Sequence, residues 1–345
     1  MQNRRVVLAS RPAGWVTESN FRIESAPFPS PAEGEILVKN LWLSLDPYMR
    51  GRMSEAKSYV KGVDIGEVMV GQTVGEVVES KDSRFKPGDK VLTQVGWQLF
   101  GCTKEAFKVD GTKIPLSYYL GVLGMPGMTA YFGLKELGQP NTGETVVVSA
   151  ASGAVGQVVG QIAMIMGCRA VGSVVGQLAK IWGCRAVGIA GGPEKCAYVT
   201  HELGFDACVD YKAGNLHRDL KAACAKGVDV YFENVGGEIL DTLLRQMNLR
   251  SRIVVCGLIA EYNATEPYGY KNLRAVLVNR IRIQGMIVFD WQDRYAEALA
   301  SLGGYLREGR LKTRESVVQG LENAPQGLIS LLKGGNFGKQ LVKLS

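Results

Sequence analysis

The chain is poor in histidine, with only His201 and His217 among 345 residues. Its seven cysteines stand at 102, 168, 184, 196, 208, 224 and 256, with no CxxC and no Cys/His cluster. A tetrahedral zinc site needs such ligands at close spacing, so the sequence points to no metal site. Cysteines odd in number and never close together in sequence argue against a disulfide framework and for a reducing, cytoplasmic setting. No uninterrupted apolar run of about 20 residues is present, which argues against a membrane-spanning helix. The opening stretch MQNRRVVLASRPAG lacks the apolar segment of a signal peptide. The net charge is +7, yet no run of Lys and Arg is longer than a pair. That describes a solvated surface rather than a nucleic-acid patch, although mild positive charge helps to draw in an anionic cofactor.

What is present is ordinary globular chemistry, 46% hydrophobic and 21% charged, in a length that suggests two domains. The first ~120 residues read as β-rich, because β-branched runs such as GEILVKNLWLSLD and VMVGQTVGEVVES are punctuated by turn signals such as KPGDKVL. LGVLGMPGMTAYFGLKELG then opens a helical stretch. From Glu144 short apolar runs alternate with helical segments: TVVVSA, CRAVGIA, ACVDY, VDVYFENV, RIVVCGLI and RIQGMIV. Continuous apolar runs are expected of strands buried on both faces. The fold class expected is therefore α/β, a doubly wound parallel sheet of the Rossmann type. The tail GGNFGKQLVKLS returns to strand character and would pair back with the β-rich domain.

TVVVSA is followed by ASGAVGQVVG and an amphipathic run. Gly153 and Gly156 open that helix without side chains, where free N–H groups and the positive end of the dipole favour a pyrophosphate. On its own a small-residue turn serves packing as readily. At the end of the next strand, where a site for NAD usually carries an acid, stand Gly191 and Gly192, with Lys195 after them. A lysine in the first turn of a helix opposes the dipole, so an anionic partner is the better account than a solvent-facing side chain. The pattern favours NADP over NAD.

Seven strings in order, LSLDPYMRGRM, LGMPGMTAYFGL, AASGAVG, GCRAVGIAGGPEK, YFENVGGE, GLIAEYN and LENAPQGLISLLKGGNFGK, resemble the zinc-independent medium-chain dehydrogenases/reductases. Within them the resemblance is to the leukotriene hydroxydehydrogenase/prostaglandin reductase group, and most to its bacterial curcumin reductase branch. It covers nearly the whole chain. It implies a GroES-like substrate domain over residues 1–121, completed by 313–345, and a Rossmann domain over 122–312, with NADP in the cleft between them. For the cofactor it implies Gly153, Ala154, Val155 and Gly156 at the pyrophosphate, and Gly191, Lys195 and Tyr211 at the 2′-phosphate. Asn234, the run from Cys256 and Gly257 to Tyr262, Met286, Ile287, Val288 and Asn336 would line the rest, with Met125 and Thr129 beside the nicotinamide. The implied activity is NADPH-dependent reduction of the C=C bond of small α,β-unsaturated ketones or aldehydes, by a homodimer joined through RIQGMIV.

Such a reaction needs a hydride donor over the β-carbon, a hydrogen-bond donor on the carbonyl and a proton for the α-carbon. Without zinc, a tyrosine or the cofactor ribose hydroxyl takes the carbonyl role. Tyr262 follows the carboxyl end of a strand, where ligands bind in such sheets, and is the catalytic candidate. Tyr48 and Tyr59 are weaker candidates for the substrate wall, Tyr48 being equally at home in a structural role. Cys256 reads as a small buried hydrophobe, not a nucleophile. Two alternatives stand beside the enone reductase: a quinone reductase, and an NADP-binding protein with little turnover.

The second alternative arises from the one departure from the family. AVGQVVGQIAMIMGCR (154–169) is followed without a gap by AVGSVVGQLAKIWGCR (170–185), identical at twelve of sixteen positions. One continuous helix from Gly153 to Gly183 would span about 46 Å against about 20 Å for a six-residue strand. The second apolar stripe would also be turned by about 160° from the first. The chain should therefore break near Gly167, with the first copy forming the phosphate turn and crossover helix. The second copy is expected as a loop or short helix at the sheet edge opposite the cofactor, a structural passenger exposing Trp182. A rival arrangement makes the first CRAVG an additional strand.

Overall fold

The structure is a computed structural model that describes residues 2–56, 58–167 and 184–344. It divides into two compact units. Unit 1 takes residues 1–124, 262–265 and 315–345, and unit 2 takes 125–261 and 266–314. Among the described residues no helix is long and apolar enough to cross a membrane.

Unit 1 opens with an antiparallel ribbon, β1 (Gln2–Leu8) on β2 (Phe21–Pro27). The largely buried run of β3 (Ile36–Ser44) is followed by a short helix, α1 (Tyr48–Arg52), and then by β4 (Thr73–Ser80), β5 (Lys90–Thr93), β6 (Phe100–Thr103) and β7 (Phe107–Lys108). β4 and β6 both pair antiparallel with β3. Ile36, Val38, Val77 and Val91 form a core cluster in this sheet.

Unit 2 begins with α2 (Met125–Phe132), buried at every position after Met125. The apolar strand β8 (Thr145–Ser149) leads into α3 (Gly156–Gly167). Then come β9 (Arg185–Ala190), α4 (Pro193–Ala197), β10 (Ala207–Asp210), α5 (Leu216–Ala223), β11 (Val228–Glu233), α6 (Gly237–Leu244), β12 (Met247–Val255), α7 (Arg274–Asn279), β13 (Arg282–Gly285) and α8 (Tyr295–Arg307). The six strands described are all parallel, in the order β10-β9-β8-β11-β12-β13. This is the doubly wound Rossmann order, and the direction of winding reverses between β8 and β11, where a crevice opens at the strands' carboxyl ends. Val147, Val187, Ile189, Tyr231 and Ile253 pack with Leu220 and Leu243 of the helices on one face.

One expectation about these strands is corrected. β8 and β11 are apolar and almost wholly buried, but β13 is exposed at all four positions. RIQG alternates polar and apolar residues and lies at the open edge, so only Met286 and Val288 beyond it reach the interior.

The first copy of the repeat supplies the turn after β8 and α3. β8 and β9 pair directly, from Thr145↔Arg185 to Ser149↔Ile189, so no strand separates them. The expected break near Gly167, the rival strand at the first CRAVG, the passenger conformation of the second copy and the exposure of Trp182 concern 168–183, outside the described residues.

The chain returns to unit 1 with β14 (Glu315–Gln319), α9 (Ala324–Leu332) and β15 (Lys339–Lys343). β15 pairs antiparallel with β3, Leu341 opposite Ser44, and β14 runs parallel to β15. Lys339 is fully buried. Its Nζ donates to Leu45 O (2.8 Å) and Asp46 Oδ1 (2.6 Å), while the Ser44 hydroxyl donates to the other oxygen of Asp46. A lysine can be buried here because its charge is both paired and hydrogen-bonded.

Candidate functional site

Within unit 2 the predicted cofactor residues gather at the carboxyl ends of the strands. After β8 the backbone turns through Ala150, held at φ +50°, and the Gly153 N–H donates to Ala150 O (2.8 Å). Gly156 tolerates no side chain, since a Cβ there would lie 2.3 Å from Ala150 O. Gly153, Ala154, Val155 and Gly156 thus form a stripped cradle at the start of a twelve-residue helix. Gln157 and Val158 donate their N–H groups back to Gly153 O and Val155 O (both 3.0 Å), and the positive end of the helix dipole lies at this turn.

A second cluster forms at the end of β9. A Cβ on Gly191 would meet the Tyr211 ring at 2.8 Å and Lys212 Cε at 2.9 Å, so its absence lets both side chains lie across the strand end. Gly192, at φ +99°, caps α4 and donates its N–H to Asp210 Oδ1 (2.8 Å). Lys195 is half-buried on α4, and its ammonium is held below the usual lysine range, first by burial and then by the charge of Lys212. Two lysines that repel one another at a strand end make a place for an anion. Lys212, which directly follows Tyr211, is a residue that the sequence reading missed.

Asn234 is positioned by a network that sequence reading missed. Its backbone N–H donates to Ser149 Oγ (2.8 Å), and its Nδ2 donates to Ser149 O (2.8 Å). Ser149 Oγ in turn donates to Glu233 Oε1 (2.9 Å), which also accepts from the Val235 N–H. Glu233 is fully buried, and burial pushes its carboxyl above the usual range. A strand-end glutamate gives no sign in sequence that it will be enclosed. The signal that existed was the lone serine ending the apolar run of β8.

The run after β12 folds onto this turn. Cys256 and Gly257 donate their N–H groups to Glu233 O, and Ile259 donates to Asn234 O. Burial pushes the Cys256 thiol up to about 12, which suits packing rather than nucleophilic attack. Met286 is buried, donating its N–H to Val255 O, and is followed by half-buried Ile287 and buried Val288. On α2, Thr129 donates its hydroxyl to the Met125 carbonyl (2.8 Å).

Tyr48, Tyr59, Tyr262 and Asn336 all belong to unit 1. Tyr48 is half-buried, and burial followed by the Asp46 charge raises its hydroxyl above the ordinary tyrosine range. Tyr59 is exposed, Tyr262 is half-buried, and Asn336 Nδ2 donates to Gly338 O (2.8 Å). The segment 262–265 is tied down by Arg50, which sequence reading did not single out. This buried guanidinium donates to Asn263 Oδ1 (3.0 Å), Gly14 O (2.9 Å) and Pro12 O (3.4 Å). Among the described residues no group of three or more His, Cys, Asp or Glu is arranged to hold a metal ion.

Comparison with known proteins places this arrangement. The chain matches the profile described as the N-terminal domain of oxidoreductase over residues 4–108 and that described as zinc-binding dehydrogenase over 170–303. It is 47% identical to the NADPH-dependent curcumin reductase of Escherichia coli, over 100% of this chain and 97% of that protein. It is 40% identical to the NADP(+)-dependent 2-alkenal reductase of Nicotiana tabacum, over 100% and 98%. The crystal structure of CurA in complex with NADPH from Vibrio vulnificus superposes with a TM-score of 0.91 at 46% identity, covering 99% of both chains. With the six-stranded order, the glycine turn after β8 and this end-to-end similarity together, the chain belongs to the medium-chain dehydrogenase/reductase family.

Proposed function

We propose that the protein is an NADPH-dependent reductase of the C=C bond of α,β-unsaturated ketones and aldehydes. The observation that carries this reading is similarity over the full chain to a curcumin reductase and a 2-alkenal reductase. The residues present fit the cofactor: a turn packed so closely at Gly156 that a Cβ would meet Ala150 O, at the start of a helix, and the Lys195–Lys212 pair for a 2′-phosphate. When bound, NADPH supplies the hydride.

The chain's own residues do the rest. Gly153 to Gly156 bring the turn and the positive end of the helix dipole to the pyrophosphate. Gly191, Lys195 and Tyr211, with Lys212, select the phosphorylated ribose. Asn234, Cys256, Gly257, Met286, Ile287, Val288 and Asn336 line the cofactor site, with Met125 and Thr129 near its reactive end. Tyr262 donates a hydrogen bond to the substrate carbonyl as negative charge develops there. Tyr48 and Tyr59 bound the substrate. In this reading residues 1–121 with 313–345 form the substrate domain and 122–312 the cofactor domain. The enzyme works without zinc, in the cytoplasm, as a homodimer. The open edge of β13 and the exposed Leu273, Leu277, Val278 and Ile283 support the last point.

The test is NADPH consumption with a panel of enones, alkenals, quinones and saturated ketones, with products identified by mass and NMR. Enones should lose the C=C bond and keep the carbonyl. Turnover of quinones alone, or reduction of the carbonyl to an alcohol, would overturn the reading.

A further inference from the structure

All the cysteines described are reduced, and two of them meet. Cys196, on α4, and Cys208, on β10, lie with their sulfurs 3.1 Å apart. Twelve positions separate them in sequence, so the pair is made by the fold: helix α4 packs back against the strand that follows it. Gly188 of β9 lies beside Cys208 in the sheet register. Neither cysteine is fully buried, whereas Cys184 and Cys224 are. The contact is also directional. The Cys208 S–H donates to Cys196 Sγ, which lowers the Cys196 pKa and keeps Cys208 protonated. Two touching thiols that are not fully buried, the pKa of one lowered by the hydrogen bond from the other, are the arrangement of an attacking and a resolving cysteine.

We propose that Cys196 and Cys208 form a modification site, a dithiol that a peroxide converts to a disulfide. The Cys196 thiolate attacks one peroxide oxygen; an S–O bond forms, the O–O bond breaks, and hydroxide leaves to take a proton from solvent. Cys208 Sγ then attacks the Cys196 sulfur; the S–S bond forms, the S–O bond breaks, and water departs with the Cys208 proton. Two thiols are oxidised by two electrons, and one hydrogen peroxide is reduced to two waters. Closing 3.1 Å to a bond of about 2.05 Å needs a combined movement of only about 1 Å.

That movement reaches the cofactor cluster. Cys196 is the residue after Lys195, and Asp210, whose charge acts on both thiols, also accepts the Gly192 N–H. Drawing α4 toward β10 shifts Lys195, so oxidation should weaken NADPH binding several-fold and leave NADH binding unchanged. This consequence rests on the assignment of Lys195 to the 2′-phosphate; the chemistry of the dithiol does not.

The full-length reduced protein is treated with hydrogen peroxide, its remaining thiols are alkylated, and it is digested with trypsin. Residues 196–212 form one tryptic peptide that holds both cysteines and no others. The expected result is that this peptide loses two hydrogens, takes up no alkylating agent, and regains two alkylation sites after dithiothreitol. Cys208→Ser should instead stop at a sulfenic acid on Cys196, trapped by dimedone. Alkylation of both cysteines after peroxide has oxidised other thiols in the protein would overturn the site. NADPH affinity is then measured on reduced and oxidised protein beside reduced Lys195→Ala. If the disulfide forms and affinity holds while Lys195→Ala weakens it, the coupling falls. If Lys195→Ala is silent too, the 2′-phosphate assignment falls and the dithiol stands.

Discussion

The two units hold their candidate site residues by different means. In unit 2 the backbone does most of it: most of these residues sit at the end of a parallel strand or in a closely packed turn, as at Gly156, where a Cβ would meet Ala150 O. In unit 1 buried charges do it across long stretches of chain, Lys339 on Asp46 and Arg50 on Asn263. Strand-end sites are local in sequence and tolerate drift elsewhere. Buried ionic ties fail abruptly, because removing one partner strands the other without water.

The sharpest way to break the contrast is Lys339→Met. It leaves Asp46 buried without its cation and should cost about 3–5 kcal/mol in chemical denaturation. The double variant Lys339→Met/Asp46→Leu should recover part of that loss. A single-variant cost under about 1 kcal/mol would show that unit 1 does not depend on the pair. Next in size is Tyr262→Phe, which removes the proposed carbonyl donor from unit 1. It should lower kcat about 10- to 1000-fold. Unchanged kcat across several enones would pass the role to the cofactor ribose or to Tyr59.

Unit 2 is probed by Lys195→Ala, which removes a charge-assisted contact of about 1.5–3 kcal/mol. NADPH binding should weaken accordingly and NADH binding should not, as read by calorimetry with both. Equal losses would mean that the lysine serves the fold.

The smallest effect concerns Glu297 of α8, held down to about 2 by the Lys135 ammonium first, then by Arg294 and the Tyr131 hydroxyl. Its folded pKa lies below an unfolded value of about 4.3. Its contribution is therefore present above about pH 4.3 and lost as the pH falls toward about 2. With 35% of the side chain exposed, the contribution is at most about 1 kcal/mol. Glu297→Gln should flatten the acid limb of stability against pH across that window; an unchanged limb would assign the slope to other carboxylates.

What was legible in the sequence follows the same division. Strands read from apolar runs, glycine turns and the missing acid at Gly191–Gly192 are statements about neighbours in the chain, and the six-stranded order agrees with them. The long-range polar ties were not legible. Arg50 stood inside a quoted string, yet nothing local says that it reaches Asn263. Glu233 and Ser149 become one network only when β8 and β11 lie side by side. Cys196 and Cys208 looked unrelated because a helix and the next strand had to fold back before their sulfurs could meet. The apolar residues of RIQGMIV predict a buried strand, and only the sheet order shows that β13 lies at the edge.

The pairing of β15 with β3 has a consequence for biogenesis. Asp46 leaves the ribosome 293 residues before its partner Lys339. At about 5–20 residues per second that interval is about 15 to 60 s. Throughout it the edge of β3 that β15 will cover is an open strand with a carboxylate waiting beside it. Residues 125–314, which contain the whole of unit 2, emerge in the meantime. The nascent chain therefore completes its second unit before it can close its first, and the open edge of β3 is where a chaperone has most to protect.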